Sequence, residues 1–248
     1  MSRNRPRRPW RDALPGRRPE EHFHWRGKEV SRLEGLADAV FGFAVTLLIV
    51  AVEVPRTFEG LLDVVRGFPA FTVCFILLMI FWNAHYRFFR RYGLEDTFTR
   101  VINIAIMLLV LFSVYPLKFL FGAIKFLGGA HGSHIETPEQ LRFVYTVYGL
   151  GFIGIWALYG LLYAHALRKR HVLQLTPVEV VQTREPLMGF GLNIVVCILS
   201  IILAHTTASA NWPGMIYMLL GPLLTFNGMW HGRLVRRMAK SGSPPAGV

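Results

Sequence analysis

The chain runs repeatedly for about 20 residues without losing its apolar character, and that length carries an α-helix across the hydrocarbon of a bilayer. Six such stretches are expected as helices: about Leu33–Val54, Phe68–Tyr86, Phe98–Leu120, Leu141–Leu167, Leu187–His205 and Trp212–His231. In lipid every backbone N–H and C=O must be satisfied within the segment, which a helix does by itself. Length alone would suggest one or two soluble domains. A hydrophobic content of 53% and a mean hydropathy of +0.39 argue against that. The expected fold class is an all-α membrane protein with six transmembrane helices.

The basic residues fall between these stretches on alternate sides. Twenty-two of the 27 lysines and arginines lie before or at Arg32, around Arg87–Arg100, around Arg168–Arg184, or from Arg233 onward. Arg56, Arg66, Lys118, Lys125 and Arg142 fall on the other side. The positive-inside rule then places both termini in the cytoplasm with an even number of spans. A net charge of +12 would suggest nucleic acid in a soluble protein. Basic residues beside spans are ordinary topology signals, so no nucleic-acid partner is expected. Residues 1–30, rich in Arg and Pro, are expected as a disordered basic tail drawn to anionic membrane lipids. Residues 31–233 then form the six-span domain, and 234–248 a short cytoplasmic tail.

Several smaller features complete the survey. No apolar h-region occurs in the first 35 residues, so a cleavable signal peptide is not expected. Cys74 and Cys197 lie inside apolar runs and are expected as buried free thiols. Thr57–Arg66 is expected as a short interfacial helix. His131 and His134 make an HxxH spacing in the loop Gly128–Gln140, but no third ligand is near, and no metal site is expected.

The first span opens "SRLEGLADAVFGFAVTLLIV". Ser31 and Glu34 fit a capping box and mark its start. Asp38 lies about 10 Å into the helix, near the inner interface, where a carboxylate still needs a partner. Gly35, Ala39, Gly42 and Thr46 share one stripe, and such small residues permit close helix approach. Phe43, Leu47 and Val50 form a neighbouring bulky stripe, with Asp38 turned about 140° from Phe43. Periodicity alone favours reading all of these as bundle core. A second cluster adds weight to the inner end. Trp82 and His85 close the second span, Asn103 opens the third, and Arg32 and Asp38 sit at the same level. Asp38 is the natural acceptor there, with His85, Trp82 and Asn103 as donors.

The segments "RLEGLAD", "AVFGFAVTLLIV", "FWNAH" and "NIAIMLLVLFSVYP" together resemble the transmembrane protein 175 family. Its members include bacterial and endolysosomal cation channels with a hydrophobic pore constriction. The resemblance covers about residues 31–120; the later spans match in number and apolarity. Of the family's first-helix motif, Arg-x-x-x-Phe-Ser-Asp, Arg32 and Asp38 match, while Leu36 and Ala37 replace Phe and Ser. Trp82, His85, Asn103 and Pro116 also match. The resemblance implies a homotetramer of six-span subunits with the first helix lining the pore. The constriction would fall at Phe43, Leu47 and Val50, with Thr46 alongside. Phe43 departs from the family's usual isoleucine, and Ala37 lacks the hydroxyl that serine would give the polar network of Arg32, Asp38, Trp82, His85 and Asn103.

The expected function is a potassium-permeable cation channel in a bacterial plasma membrane, with monovalent cations, lipids and its own copies as partners. One apolar helix per chain cannot enclose a pore, so oligomerisation is required. Apolar rings would gate by dewetting, and no TVGYG filter or Arg-rich voltage sensor is present. The alternatives are a proton-permeable channel, a non-conducting six-span protein, a haem-bearing redox protein using a pair among His85, His165, His205 and His231, and a small-solute transporter. No nucleophile–base spacing, HExxH or P-loop occurs, so neither an enzyme nor a bound cofactor is expected.

Overall fold

The computed structural model describes residues 23–27, 29–50, 56–123, 137–207 and 212–241. Among these all regular structure is helical: α1 (Arg32–Val50), α2 (Phe58–Arg66), α3 (Phe68–Tyr92), α4 (Thr97–Ala123), α5 (Pro138–Arg168), α6 (Pro177–Thr206), α7 (Trp212–Met215), a 3₁₀ turn (Ile216–Leu219) and α8 (Leu220–Ser241). Among the described residues four helices are long and apolar enough to cross a membrane, over Phe68–Tyr92, Thr97–Tyr115, Pro138–Arg168 and Pro177–Thr206. The helix expected over Thr57–Arg66 is present as α2, with Thr57 Oγ1 accepting from the Gly60 N–H at 3.1 Å. The HxxH loop lies outside the described residues.

Helix ends follow local chemistry. Ser31 Oγ accepts from the Glu34 N–H at 3.1 Å, but the Glu34 carboxylate turns to Arg90 at 3.4 Å, so only half of the expected capping box forms. α3 stops at Gly93, whose φ of 57° suits a residue without Cβ. α6 begins ten positions before the expected Leu187. Thr176 and Glu179 make a full capping box with Pro177 in the first turn, and the helix continues through Pro186. The last expected span is also corrected: its first eight residues divide into α7 and the 3₁₀ turn before α8 starts.

The helices stack mainly in chain order: α1 on α3 and α4, α4 on α5, α5 on α6, α6 on α8. Aromatic rings fill the centre. Phe81 meets Trp156 edge-on at 5.2 Å, and Trp156 stacks on Phe190 at 5.4 Å. Two buried hydroxyls find acceptors, as buried phenols require. Tyr159 donates to the Phe81 carbonyl at 2.7 Å, and Tyr92 to Thr183 Oγ1 at 2.8 Å. α5 approaches α6 so closely that a Cβ on Gly149 would lie 2.6 Å from Ile201. Cys74 and Cys197 are buried thiols outside any disulfide.

Ion pairs tie the end of the bundle where α1 starts. Residues 23–27 fall inside the segment expected to be disordered, yet Phe23 is buried and Arg26 pairs with Glu179 at 3.0 Å. An aromatic and an arginine fork with buried partners outweigh the polar composition around them. Asp96, between α3 and α4, takes a hydrogen bond from Lys169 and lies 2.7 Å from His165 Nε2, both on or just after α5. It also accepts from the Thr99 N–H at 2.8 Å, capping α4. Burial pushes the Asp96 carboxyl up, but hydrogen bonds from Lys169, Thr99 and His165 outweigh it and hold it well below the usual carboxylate range.

Asparagine at position 96 keeps the cap and loses the charge. Asp96→Asn is expected to lower stability at pH 7 by about 1–3 kcal/mol. A depressed carboxyl stabilises fully above its unfolded value of about 4 and loses that effect as pH falls toward its folded value. In thermal melts of detergent-purified protein the gap between wild type and variant therefore narrows as pH falls below about 4. A gap that widens below pH 4 contradicts this assignment.

Candidate pore helix and its polar supports

α1 divides into two faces. Glu34, Ala37, Phe41, Ala44 and Leu48 are buried, and at about 100° per residue they form one continuous arc against α3 and α4. The opposite arc is exposed and holds Asp38, Ile49, Gly42, Gly35, Thr46, Ala39, Phe43 and Leu36. Thr46 stands near its centre, with Asp38 on one shoulder and Phe43 on the other. A Cβ on Gly35 or Gly42 would meet nothing within 4 Å. Gly35 and Gly42 thus pack against no other described part of the chain.

The four residues expected at a constriction do not share one environment. Phe43 is 56% exposed, and Thr46 is exposed with its hydroxyl donating to the Gly42 carbonyl at 3.0 Å. Leu47 is half-buried against the hydrophobic core. Val50 closes α1, and its side chain lies outside the described residues.

The expected polar cluster separates into two pairs. Trp82 Nε1 donates to Asp38 Oδ1 at 2.8 Å. His85 instead meets Asn103 across the α3–α4 contact, Nε2 to Oδ1 at 2.7 Å, fully buried beside Phe41 and Phe89. Trp82 and His85 are three residues apart on α3, so they leave the helix about 60° apart and reach different neighbours. Arg32 is exposed at the helix start and belongs to neither pair. The structure adds a third contact on α1, the buried Glu34 with Arg90. Its sequence signal was the S-x-x-E spacing, which points equally to a cap.

The histidines considered for haem each have a separate partner. Those of His165, His205 and His231 are Asp96, Thr146 and the Asn227 carbonyl. Among the described residues no group of three or more His, Cys, Asp and Glu side chains is placed to hold a metal.

Comparison with known proteins agrees with this architecture. The family described as endosomal/lysosomal potassium channel TMEM175 matches residues 32–116. A protein of Marivirga tractuosa named potassium channel is 31% identical over 231 residues, spanning 88% of this chain and 94% of that one. A potassium channel of Chamaesiphon minutus is 26% identical over 186 residues, 70% of this chain and 85% of that one. The crystal structure of a variant of the potassium channel MtTMEM175, bound to a nanobody–MBP fusion protein, superposes with a TM-score of 0.73 at 29% identity. That likeness covers 86% of this chain and 97% of the other. The structure of a lysosomal potassium-selective channel TMEM175 homolog from Chamaesiphon minutus gives 0.54 at 25% identity, over 79% and 96% of the two chains. A bundle of apolar helices with a charged first helix, matched along most of its length, places this membrane protein in the TMEM175 potassium channel family.

Proposed function

We propose that this chain is one subunit of a homotetrameric, potassium-permeable cation channel of a bacterial plasma membrane. Residues 31–233 form its six-span domain, both termini lie in the cytoplasm, and α1 lines the pore. The names of the relatives support potassium as the permeant ion. The observation that carries the reading is the open arc of α1. Asp38, Gly35, Ala39, Gly42 and Thr46 are exposed on it. A carboxylate facing lipid is costly, at about 3 kcal/mol or more near the midplane. Small residues gain little from lipid tails and much from close helix approach. Such an arc fits other copies of the same helix and an aqueous axis better than it fits acyl chains.

Closed rotational symmetry would bring equivalent α1 helices around one axis. Phe43, Leu47 and Val50 would then form apolar rings that gate by dewetting, with Thr46 hydroxyls beside them. Trp82, holding Asp38, would fix α1 against α3, and the His85–Asn103 pair would tie α3 to α4 behind the rings. The basic segment before α1 would lie against anionic headgroups.

Planar-bilayer recording of the purified protein tests the proposal. Wild type is expected to carry potassium current, and separate proton and potassium gradients distinguish the two permeant ions. No cation current under any gradient would sink the reading. Phe43→Ala, which widens the ring, is expected to raise unitary conductance severalfold. Phe41→Ala, on the buried arc, is expected to cost about 3–5 kcal/mol of stability without changing ion selectivity.

Trp82→Phe removes one donor and preserves the ring. It is expected to lower stability by about 1–3 kcal/mol, the effect of a hydrogen bond to a charged group. Asp38→Asn is expected to cost less, because the amide oxygen still accepts. A double-mutant cycle read by thermal unfolding checks this, and additive effects would show that the two side chains are uncoupled.

A further inference from the structure

We propose that residues 23–27 form a strap that positions the pore helix, with Arg26 tying the entry of α1 to the α5–α6 turn and so setting the balance between conducting and non-conducting arrangements. This rests on the channel reading above.

Every nitrogen of the Arg26 guanidinium donates to a partner. Its Nε donates to the Leu173 carbonyl at 2.8 Å and its Nη2 to the Gln174 carbonyl at 3.3 Å. Nη1 and Nη2 also reach Glu179 Oε1 and Oε2, at 3.1 and 3.0 Å. That fork–fork pair is the strong, geometrically specific kind. Glu179 is completely buried, and the His24 N–H also donates to it at 2.9 Å. Gln174 itself stands at φ 48°, an uncommon conformation for a residue with a side chain.

The strap is seated as well as bonded. Phe23 is buried edge-on to Tyr92 at 5.6 Å, under the Arg91 guanidinium at 5.0 Å. Gly27 lies so close to the end of α3 that a Cβ there would come 2.5 Å from the Phe89 carbonyl oxygen. Its N–H donates to the Arg90 carbonyl at 3.2 Å. Arg90 then completes the connection. Its Nη1 donates to the Gly27 carbonyl at 3.2 Å, and its Nε lies 3.4 Å from Glu34 in the first turn of α1. One polar line therefore runs Glu179–Arg26–Gly27–Arg90–Glu34, from the start of α6 to the start of α1. Any tilt or rotation of α1 must carry this line or break it. A helix that gates a pore by moving is restrained here.

Two variants release the strap by unrelated means. Arg26→Gln removes the fork, and Gly27→Ala forces the backbone off α3 without changing any charge. Arg170→Gln serves as the charge-matched control, because Arg170 is exposed and lies in the turn without joining the line. Full-length variants are compared by amide hydrogen exchange and by bilayer recording. Both release variants are expected to speed exchange over residues 33–41 by about tenfold or more relative to the control. Both should shift open probability in the same direction, by about threefold or more, with unitary conductance unchanged. Exchange in α1 at the control rate in both variants overturns the proposal. So does faster exchange with unchanged open probability, since the strap would then be structural only. If wild type carries no current, the channel reading fails, and the exchange measurement alone still decides whether the strap holds α1.

Discussion

A charged helix in a membrane protein cannot be turned to lipid freely, and α1 carries Arg32, Glu34 and Asp38 within seven positions. Each charge is handled differently. Glu34 turns into the bundle and meets Arg90. Asp38 stays on the shoulder and takes the Trp82 indole N–H. Arg32 sits exposed at the very start. These three solutions fix the rotation of α1 about its own axis. The same rotation buries Ala37, Phe41, Ala44 and Leu48 and leaves the glycine and threonine stripe open. The open face is a consequence of where the charges had to go.

Behind α1 the bundle is built to resist deformation. Phe81, Trp156, Tyr159, Tyr163 and Phe190 interlock between α3, α5 and α6, and dense packing of large rings transmits strain instead of absorbing it. The phenol of Tyr159 on the Phe81 carbonyl and that of Tyr92 on Thr183 add directional bonds to the same frame. At the end where α1 starts, Asp96 joins the α3–α4 turn to α5, and Arg26 joins the strap to α6. The frame is thus closed by charge at one end and filled by aromatic rings in its centre. α1 packs on this frame through Ala37, Phe41, Ala44 and Leu48.

Much of this was legible from the sequence, and the failures share a cause. Apolar length located α3 to α6, and the residues of α1, "FWNAH" and Asn103 carried the family. Depth along a helix was also readable: Trp82, His85, Asn103 and Asp38 do lie near one another in level. Azimuth was not. Depth alone joined Asp38, His85 and Asn103 into one cluster, whereas the 60° between Trp82 and His85 divides it in two. The start of α6 was misplaced because its cap at Thr176 and Glu179 lies in a polar stretch that resembles loop. Arg26 and Phe23 were hidden for a related reason. Composition over 30 residues averages away two side chains whose partners lie about 150 positions on or within α3. Long-range pairing of this kind leaves no local periodicity to detect.

The azimuth of α1 also decides how a proposed fourfold pore must be divided. A helix beside a rotational axis faces the axis over part of its surface and its two neighbours over the flanks. The open arc spans about 160° from Asp38 to Leu36, wide enough to serve both. Phe43 stands on the shoulder adjoining half-buried Leu47, and Asp38 stands on the opposite shoulder, held by Trp82. If Phe43 and Leu47 face the axis, then Gly35, Gly42 and Thr46 fall between helices, where small side chains let neighbouring backbones approach. If instead Thr46 faces the axis, the phenylalanines pack between subunits and the apolar rings vanish. The first arrangement places Asp38 away from the permeation path, with its indole partner. The second brings its carboxylate nearer the water of the pore, where the Trp82 hydrogen bond would add little. A buried-side donor retained for Asp38 is therefore physically consistent with the phenylalanine ring at the axis.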